Sequence, residues 1–271
     1  MRTTLFLLPL LLACTPPLDE DTGRVENDWQ LAWADEFDGA AGSPPDPASW
    51  SHDVGGDGWG NGQLEHNTDR TDNAFHDGEG HLVIRALRED FEGNAYTSAR
   101  ITTMDKVEVG PARIEARIKL PSGEGLWPAF WMLGEDFDVV GWPTCGEIDI
   151  LELRGSQPDT VITTVHGPGY NGGEGVGTAT GFPGVGDWTE DFHVFAVDID
   201  PDHLVWWIDG QRVHTVRPGD LPGGTSWAFD RAFFLILNVA VGGNFVQPPT
   251  EETIFPADMT IDWVRVYERG G

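Results

Sequence analysis

Lysine is nearly missing from this chain. Of 271 residues only Lys106 and Lys119 are lysines, and lysine and arginine together number 16 against 45 aspartates and glutamates. The formal net charge is −29 and the isoelectric point is near 4.3, so polymers of phosphate or sulfate are repelled. Nucleic acid is excluded as a partner, and a sulfated substrate is disfavoured. Cysteine is scarce as well, with Cys14 and Cys145 alone; a chain of this length buries a core without disulfides. No apolar run is long enough to cross a bilayer as a helix, since Leu5 to Ala13 has only nine residues. Tyrosine is down to three, whereas tryptophan reaches 12, phenylalanine 14, glycine 35 and proline 19. Aromatics for a core and residues for turns point to a turn-rich β protein with more flat indole surface than packing requires.

Met1-Arg2-Thr3-Thr4 followed by the apolar stretch has the shape of a secretory signal. It ends in Leu11-Leu12-Ala13-Cys14, which resembles the bacterial lipobox, where the cysteine is lipidated and becomes the first residue after cleavage. The expected layout is a lipoprotein signal peptide at 1–13, lipidation at Cys14, a flexible acidic tether at 14–28 and one folded domain at 29–271. The tether TPPLDEDTGRVEND contains proline, is acidic and lacks periodicity. Loss of the leader with Arg2, its one charged residue, takes the net charge from −29 to −30. Cys145 then stands alone and is expected as a buried thiol. The expected location is outside the cytoplasm, as a bacterial lipoprotein at the cell envelope or surface, or otherwise secreted. Membrane contact is expected only through the N-terminal lipid.

From Trp29 onward apolar residues alternate with polar ones between clusters of Gly, Pro, Asn and Asp, which predicts an all-β fold. In Arg113 to Leu120, Ile114, Ala116, Ile118 and Leu120 share one face, and Arg113, Glu115, Arg117 and Lys119 the other. Leu204 to Ile208 and Gln211 to Val216 flank Asp209-Gly210, a two-residue hairpin signal. Phe233 to Val241 is almost wholly apolar and predicts a central strand covered on both faces. Ile261 to Tyr267 predicts a closing strand. Strands at this spacing predict a two-sheet β-sandwich of jelly-roll type, with no separate carbohydrate-binding module.

Gly146 to Glu152 reads GEIDILE, three acids set into an apolar strand. Burying acids is costly unless they have partners or work to do. Glu147 and Asp149 share a face by alternation, and a β-bulge near Ile150-Leu151 returns Glu152 to it. Two glutamates four strand positions apart, leaning inward, bring their carboxyls to about 5.5 Å, the separation of a retaining glycosidase. In that chemistry one glutamate attacks the anomeric carbon and the other protonates the leaving oxygen and then activates water. Asp149 between them shares a proton and couples their titration.

GEIDILE is similar to the bulged E-x-D-x-x-E signature of glycoside hydrolase family 16, in its laminarinase-like, endo-β-1,3-glucanase branch. The resemblance runs from about Trp33 to Tyr267 through WADEFDG (33–39), GWGN (58–61), YTSARI (96–101), WPAFWM (127–132), GWP (141–143), HGPG (166–169) and ILNVAVGG (236–243). It implies a jelly roll with a concave substrate cleft, Glu147 as nucleophile, Asp149 as its helper and Glu152 as acid/base. Trp127 and Trp131 are implied as sugar-stacking platforms, Trp142 as a further cleft aromatic, Asn61 and Arg100 as contacts to sugar hydroxyls, and His166 as a neighbour of the cleaved bond. Trp206, Trp207 and Trp263 are expected in the core. No cofactor is expected for catalysis. A structural calcium on the convex side is implied at Glu36, Gly80 and Asp262, through backbone carbonyls and the aspartate.

Two stretches depart from that branch. Gln63-Leu64-Glu65-His66-Asn67 stands where an acid, Leu, Gln and two Tyr are usual, and Phe245 stands where a Trp is common. The expected partner is a neutral β-glucan such as laminarin and the expected state a monomer. The competing readings are a same-fold hydrolase of mixed-linkage glucan, agarose or β-galactan, and a β-glucan-binding protein without catalysis. Intact Glu147, Asp149 and Glu152 speak against the last.

Overall fold

The computed structural model describes residues 29–184 and 186–270. The leader, Cys14 and the tether lie outside the described residues. Two sheets stack face to face. One runs in the order Val176–Gly181, Thr160–His166, Glu147–Leu153, Leu126–Gly134, Phe233–Val241, Arg100–Thr102 and Ser51–His52, with Glu108–Val109 also against the fifth strand. Its pairs are all antiparallel. The other, of ten strands, centres on His193–Asp200, Arg113–Lys119, Ala257–Arg269 and Leu82–Phe91. This is the predicted jelly-roll sandwich. Among the described residues, no helix is long and apolar enough to cross a membrane.

The alternation that predicted these strands is what fills the space between the sheets. Ile114, Ala116 and Ile118 point into the core with Phe130, Met132, Ile148, Leu151 and Leu153 from the opposite sheet. Phe233–Val241 is buried at every position. Its odd members Phe233, Leu235, Leu237, Val239 and Val241 join the main core. Phe234 and Ile236, facing the other way, pack with Leu133 and Cys145 in a second cluster that Met104, Phe137 and Trp131 flank. Cys145 is the expected buried thiol, and burial pushes its pKa up to about 11. Such a thiol is a poor nucleophile.

At the predicted hairpin Asp209 has φ 49° and Gly210 φ 74°, the pair of positive values that a type I′ turn requires. The closing strand is longer than expected, Ala257–Arg269, because its N-terminal part pairs with Leu82–Phe91 and its C-terminal end with Trp29–Asp35. Trp206 is in the core as expected. Trp207 and Trp263 are not: both are only partly buried, on strands whose outer face is covered by guanidinium groups, Arg113 over Trp207 and Arg265 over Trp263. Cation–π contact replaces apolar packing there.

Candidate active site

The acids lie on the outer face of the first sheet, with Ile148, Leu151 and Leu153 turned into the core. The register settles how. Leu133 pairs with Glu147, Trp131 with Asp149, Phe130 with Leu151 and Ala129 with Glu152, leaving Ile150 as the extra residue. The neighbour on the other side shifts at the same place, pairing Thr164 with Asp149 and Ile162 with Glu152. The bulge therefore sits where the acid spacing put it, and Glu147, Asp149 and Glu152 share one face.

Burial is the largest influence on all three carboxyls. It raises Asp149 and Glu152 to about 8 each and Glu147 well above the ordinary range. Three adjacent carboxyls in a buried patch cannot all ionise. The neighbours decide where charge settles. His166 Nε2 lies 3.3 Å from Asp149 Oδ2 and 3.7 Å from Glu147 Oε1. Arg100 acts on Glu147 through its charge, and Trp142 through a hydrogen bond. Glu152 receives a hydrogen bond from Trp127 Nε1 at 3.0 Å, and the nearby Asp149 holds its proton on. Asp149 raises both glutamates, and what sets the two apart is Arg100 facing Glu147 and the Trp127 indole on Glu152.

The resemblance also named residues around the acids, and the structure gives each a setting. Arg100 pairs across the ladder with Asn238, its Nε lies 2.9 Å from Asp53 Oδ2, and its guanidinium is held between the rings of Trp59 and Trp131 at 5.0 and 4.7 Å. Trp131 donates Nε1 to Asn238 Oδ1 at 2.8 Å. With Arg100 over its ring and the Cys145 cluster beside it, Trp131 has less free indole face than a sugar platform at full exposure. Trp127 packs on Phe245 at 4.8 Å, and Arg154 lies 4.0 Å over the far ring. Trp142 is 45% exposed and its ring centre stands 6.4 Å from that of His166. Asn61 is exposed on a loop tied to Asn244 through its carbonyl; no contact brings it to the acids.

Sequence reasoning missed Asp53, Trp59 and Asn238. Asn238 had a signal, a lone polar residue in FFLILNVAV. It also missed Glu65, fully buried behind the site, whose Oε2 accepts from Val241 N at 2.8 Å and whose Oε1 accepts from Asn67 Nδ2 at 3.4 Å. His66 and Asn67, where the branch has an aromatic pair, are buried too. Burial raises the Glu65 pKa to about 8. The unfolded chain therefore releases this proton well before the folded one does, and the stability contribution present at low pH is lost as pH rises through that window. Glu65→Gln keeps an acceptor for Val241 without the charge. It is expected to raise the melting temperature by several degrees at pH 8 and to leave it unchanged near pH 4, read by thermal denaturation at both values.

Of the implied calcium residues, Asp262 lies on the opposite sheet, and Glu36 and Gly80 lie on loops that adjoin it. Asp262 is at a second bulge, between Ile261 and Trp263. Its Oδ2 accepts from Arg117, and its Oδ1 stands 4.0 Å from Nε2 of His81, the neighbour of Gly80. The Glu36 carboxylate is held by Arg265 at 2.8 and 2.9 Å, so Glu36 has only its carbonyl to offer a cation.

The family model described as Glycosyl hydrolases family 16 matches residues 62–265. The chain belongs to that family. As a family 16 member it is a glycoside hydrolase, and its fold and its relatives agree. A beta-glucanase of Rhodothermus marinus is 41% identical over 276 residues, spanning 98% of this chain and 94% of its own. The laminarinase catalytic domain of Thermotoga maritima superposes with a TM-score of 0.84 at 48% identity, covering 90% of this chain and all of that one. The endo-beta-1,3-glucanase of Pyrococcus furiosus gives the same TM-score at 46% identity, covering 90% and 95%.

Proposed function

We propose that this family 16 enzyme cleaves internal β-1,3 linkages of a neutral glucan such as laminarin by double displacement with retention. The observation that carries the mechanism is the double register shift after Asp149, which sets Glu147 and Glu152 on one face with unequal neighbours. Glu147, backed by Arg100 and His166, attacks the anomeric carbon while Glu152 gives its proton to the departing glycosidic oxygen. Glu152, now a carboxylate, takes a proton from water as that water displaces Glu147. Asp149 accepts or shares the proton between them. The chain's similarity to a beta-glucanase and to laminarinases supports the substrate, and the chain's acidity favours an uncharged polymer. Reducing-sugar release from laminarin, curdlan, lichenan and agarose tests it: release from laminarin and curdlan is expected, with lichenan secondary. Activity confined to agarose overturns the substrate.

A stabilising calcium at Gly80, Asp262 and the carbonyl of Glu36 is part of the same reading, supported by an all-oxygen donor set, which suits a hard cation. Chelation is expected to lower the thermal midpoint without changing the pH dependence of activity, and added calcium to restore it. Equal midpoints with and without chelator overturn the site. Export with a lipid on Cys14 is supported by the leader and its LLAC ending. Labelled palmitate should enter the wild type and not Cys14→Ala.

A further inference from the structure

The bulge that returns Glu152 to the site is also a weak place in the sheet. A bulge disrupts the ladder locally and leaves backbone groups in need of other partners. The carbonyl of Asp149, where register with both neighbouring strands shifts, accepts a hydrogen bond from across the sandwich. Trp206 Nε1, on His203–Ile208 of the ten-stranded sheet, donates to it at 2.9 Å. Trp206 is fully buried. Its ring stacks on His214 with centroids 4.8 Å apart and 27° between planes. His214 Nδ1 in turn lies 3.0 Å from Oγ1 of buried Thr163, on the strand next to the acids. Thr163, His214, Trp206 and the Asp149 carbonyl thus form a closed brace. It leaves the catalytic sheet one strand away from the acids, passes through the opposite sheet, and returns at the bulge.

We propose that Trp206 is a positioning residue for hydrolysis: by holding the Asp149 carbonyl it fixes the bulge, and with it the spacing of Glu147 and Glu152. The proposal rests on the assignment of those two glutamates as the reacting pair. Ordinary core packing would explain the burial of an indole, but a phenyl ring would serve that purpose. What phenylalanine lacks is the donor to the Asp149 carbonyl, where the bulge begins. Reacting groups tolerate little misplacement, and an error of about 1 Å costs on the order of 10²-fold in rate.

The test uses Trp206→Phe and Thr163→Val in the otherwise intact protein, with folded fraction set by circular dichroism before kinetics on soluble laminarin. For folded Trp206→Phe, kcat is expected to fall about tenfold to hundredfold with KM within about twofold of wild type, because oligosaccharide contacts are untouched while the carboxyl spacing is loosened. The upper limb of the pH profile of kcat should move as well, since Glu152 changes its distance from Asp149. Thr163→Val, which cuts the brace one step back, should give a smaller fall in kcat with the same unchanged KM. A folded Trp206→Phe with wild-type kcat and pH profile overturns the proposal, whatever its melting temperature. Should Trp206→Phe fail to fold, Thr163→Val decides, and wild-type kcat in that variant overturns it. Glu147→Gln run in parallel separates the two claims: activity surviving there removes the underlying reading, whereas an inactive Glu147→Gln beside a fully active Trp206→Phe removes only the brace.

Discussion

Glu147→Gln is expected to lower kcat on laminarin by on the order of 10⁴-fold or more, with the fold and the affinity for glucan oligosaccharides nearly unchanged. The amide is close in size to the carboxyl and still accepts the hydrogen bond from Trp142, so the site keeps its shape. It cannot form a glycosyl ester, and it removes the charge on which Arg100 and His166 converge. Asp149 does not substitute for it: its carboxyl is buried, at 2% exposure, beneath the half-buried Glu147, where the cleft cannot bring a sugar carbon to it. Full activity in this variant would mean that another group attacks the sugar. Thermal midpoints belong beside the kinetics, because removing a buried acid also lifts a burial cost, and Glu147→Gln should be at least as stable as wild type at neutral pH.

For Glu152→Gln the expected loss depends on the leaving group. On glucan, where a sugar hydroxylate must be protonated as it departs, kcat should fall by about 10²- to 10⁴-fold. An aryl glycoside with an acidic phenol leaves without help, so its first step should proceed near the wild-type rate and the glycosyl-enzyme should accumulate. Azide needs no general base and should release it as the β-glycosyl azide. That combination distinguishes an acid/base residue from one that only shapes the cleft. Loss of activity on both substrates, with no azide rescue, contradicts the assignment. The same residue sets the alkaline side of the wild-type profile: with Glu152 raised to about 8, kcat/KM should hold through neutral pH and decline above that value as the proton is lost. Trp127→Phe, which removes the 3.0 Å hydrogen bond to the carboxyl oxygen of Glu152, should move that decline to higher pH because the ionised form loses a donor.

The catalytic strand was legible because its chemistry conflicts with its surroundings. Three acids in an apolar run had to be together or be a liability, and the parity of their spacing demanded a bulge. The Asp209-Gly210 turn and the buried run at Phe233 to Val241 were legible for similar local reasons. What escaped were arrangements set by residues far apart in the chain. Arg100 between Trp59 and Trp131 joins three segments, and no periodicity reports which ring face a guanidinium will cover. Glu65 is buried because its carboxyl meets the backbone of Val241, 176 positions away; from sequence it is one acid among 45. Trp206 lies in the core as an apolar strand predicts, but its indole nitrogen meets the bulge through Asp149, 57 positions away, and no local pattern reports that. Trp207 and Trp263 are expected in the core as ordinary packing indoles, and no periodicity reports the guanidinium that covers each, Arg113 from a distant strand for Trp207 and Arg265 from two residues along the same strand for Trp263.

Double displacement at a β-glucosidic bond by Glu147 and Glu152 fixes the configuration of the first product. Proton NMR of laminarin hydrolysis, followed from the earliest minutes with enough enzyme to outrun mutarotation, should show the new reducing ends appearing in the β form and the α signal growing later. New reducing ends that appear first as the α anomer would contradict the account.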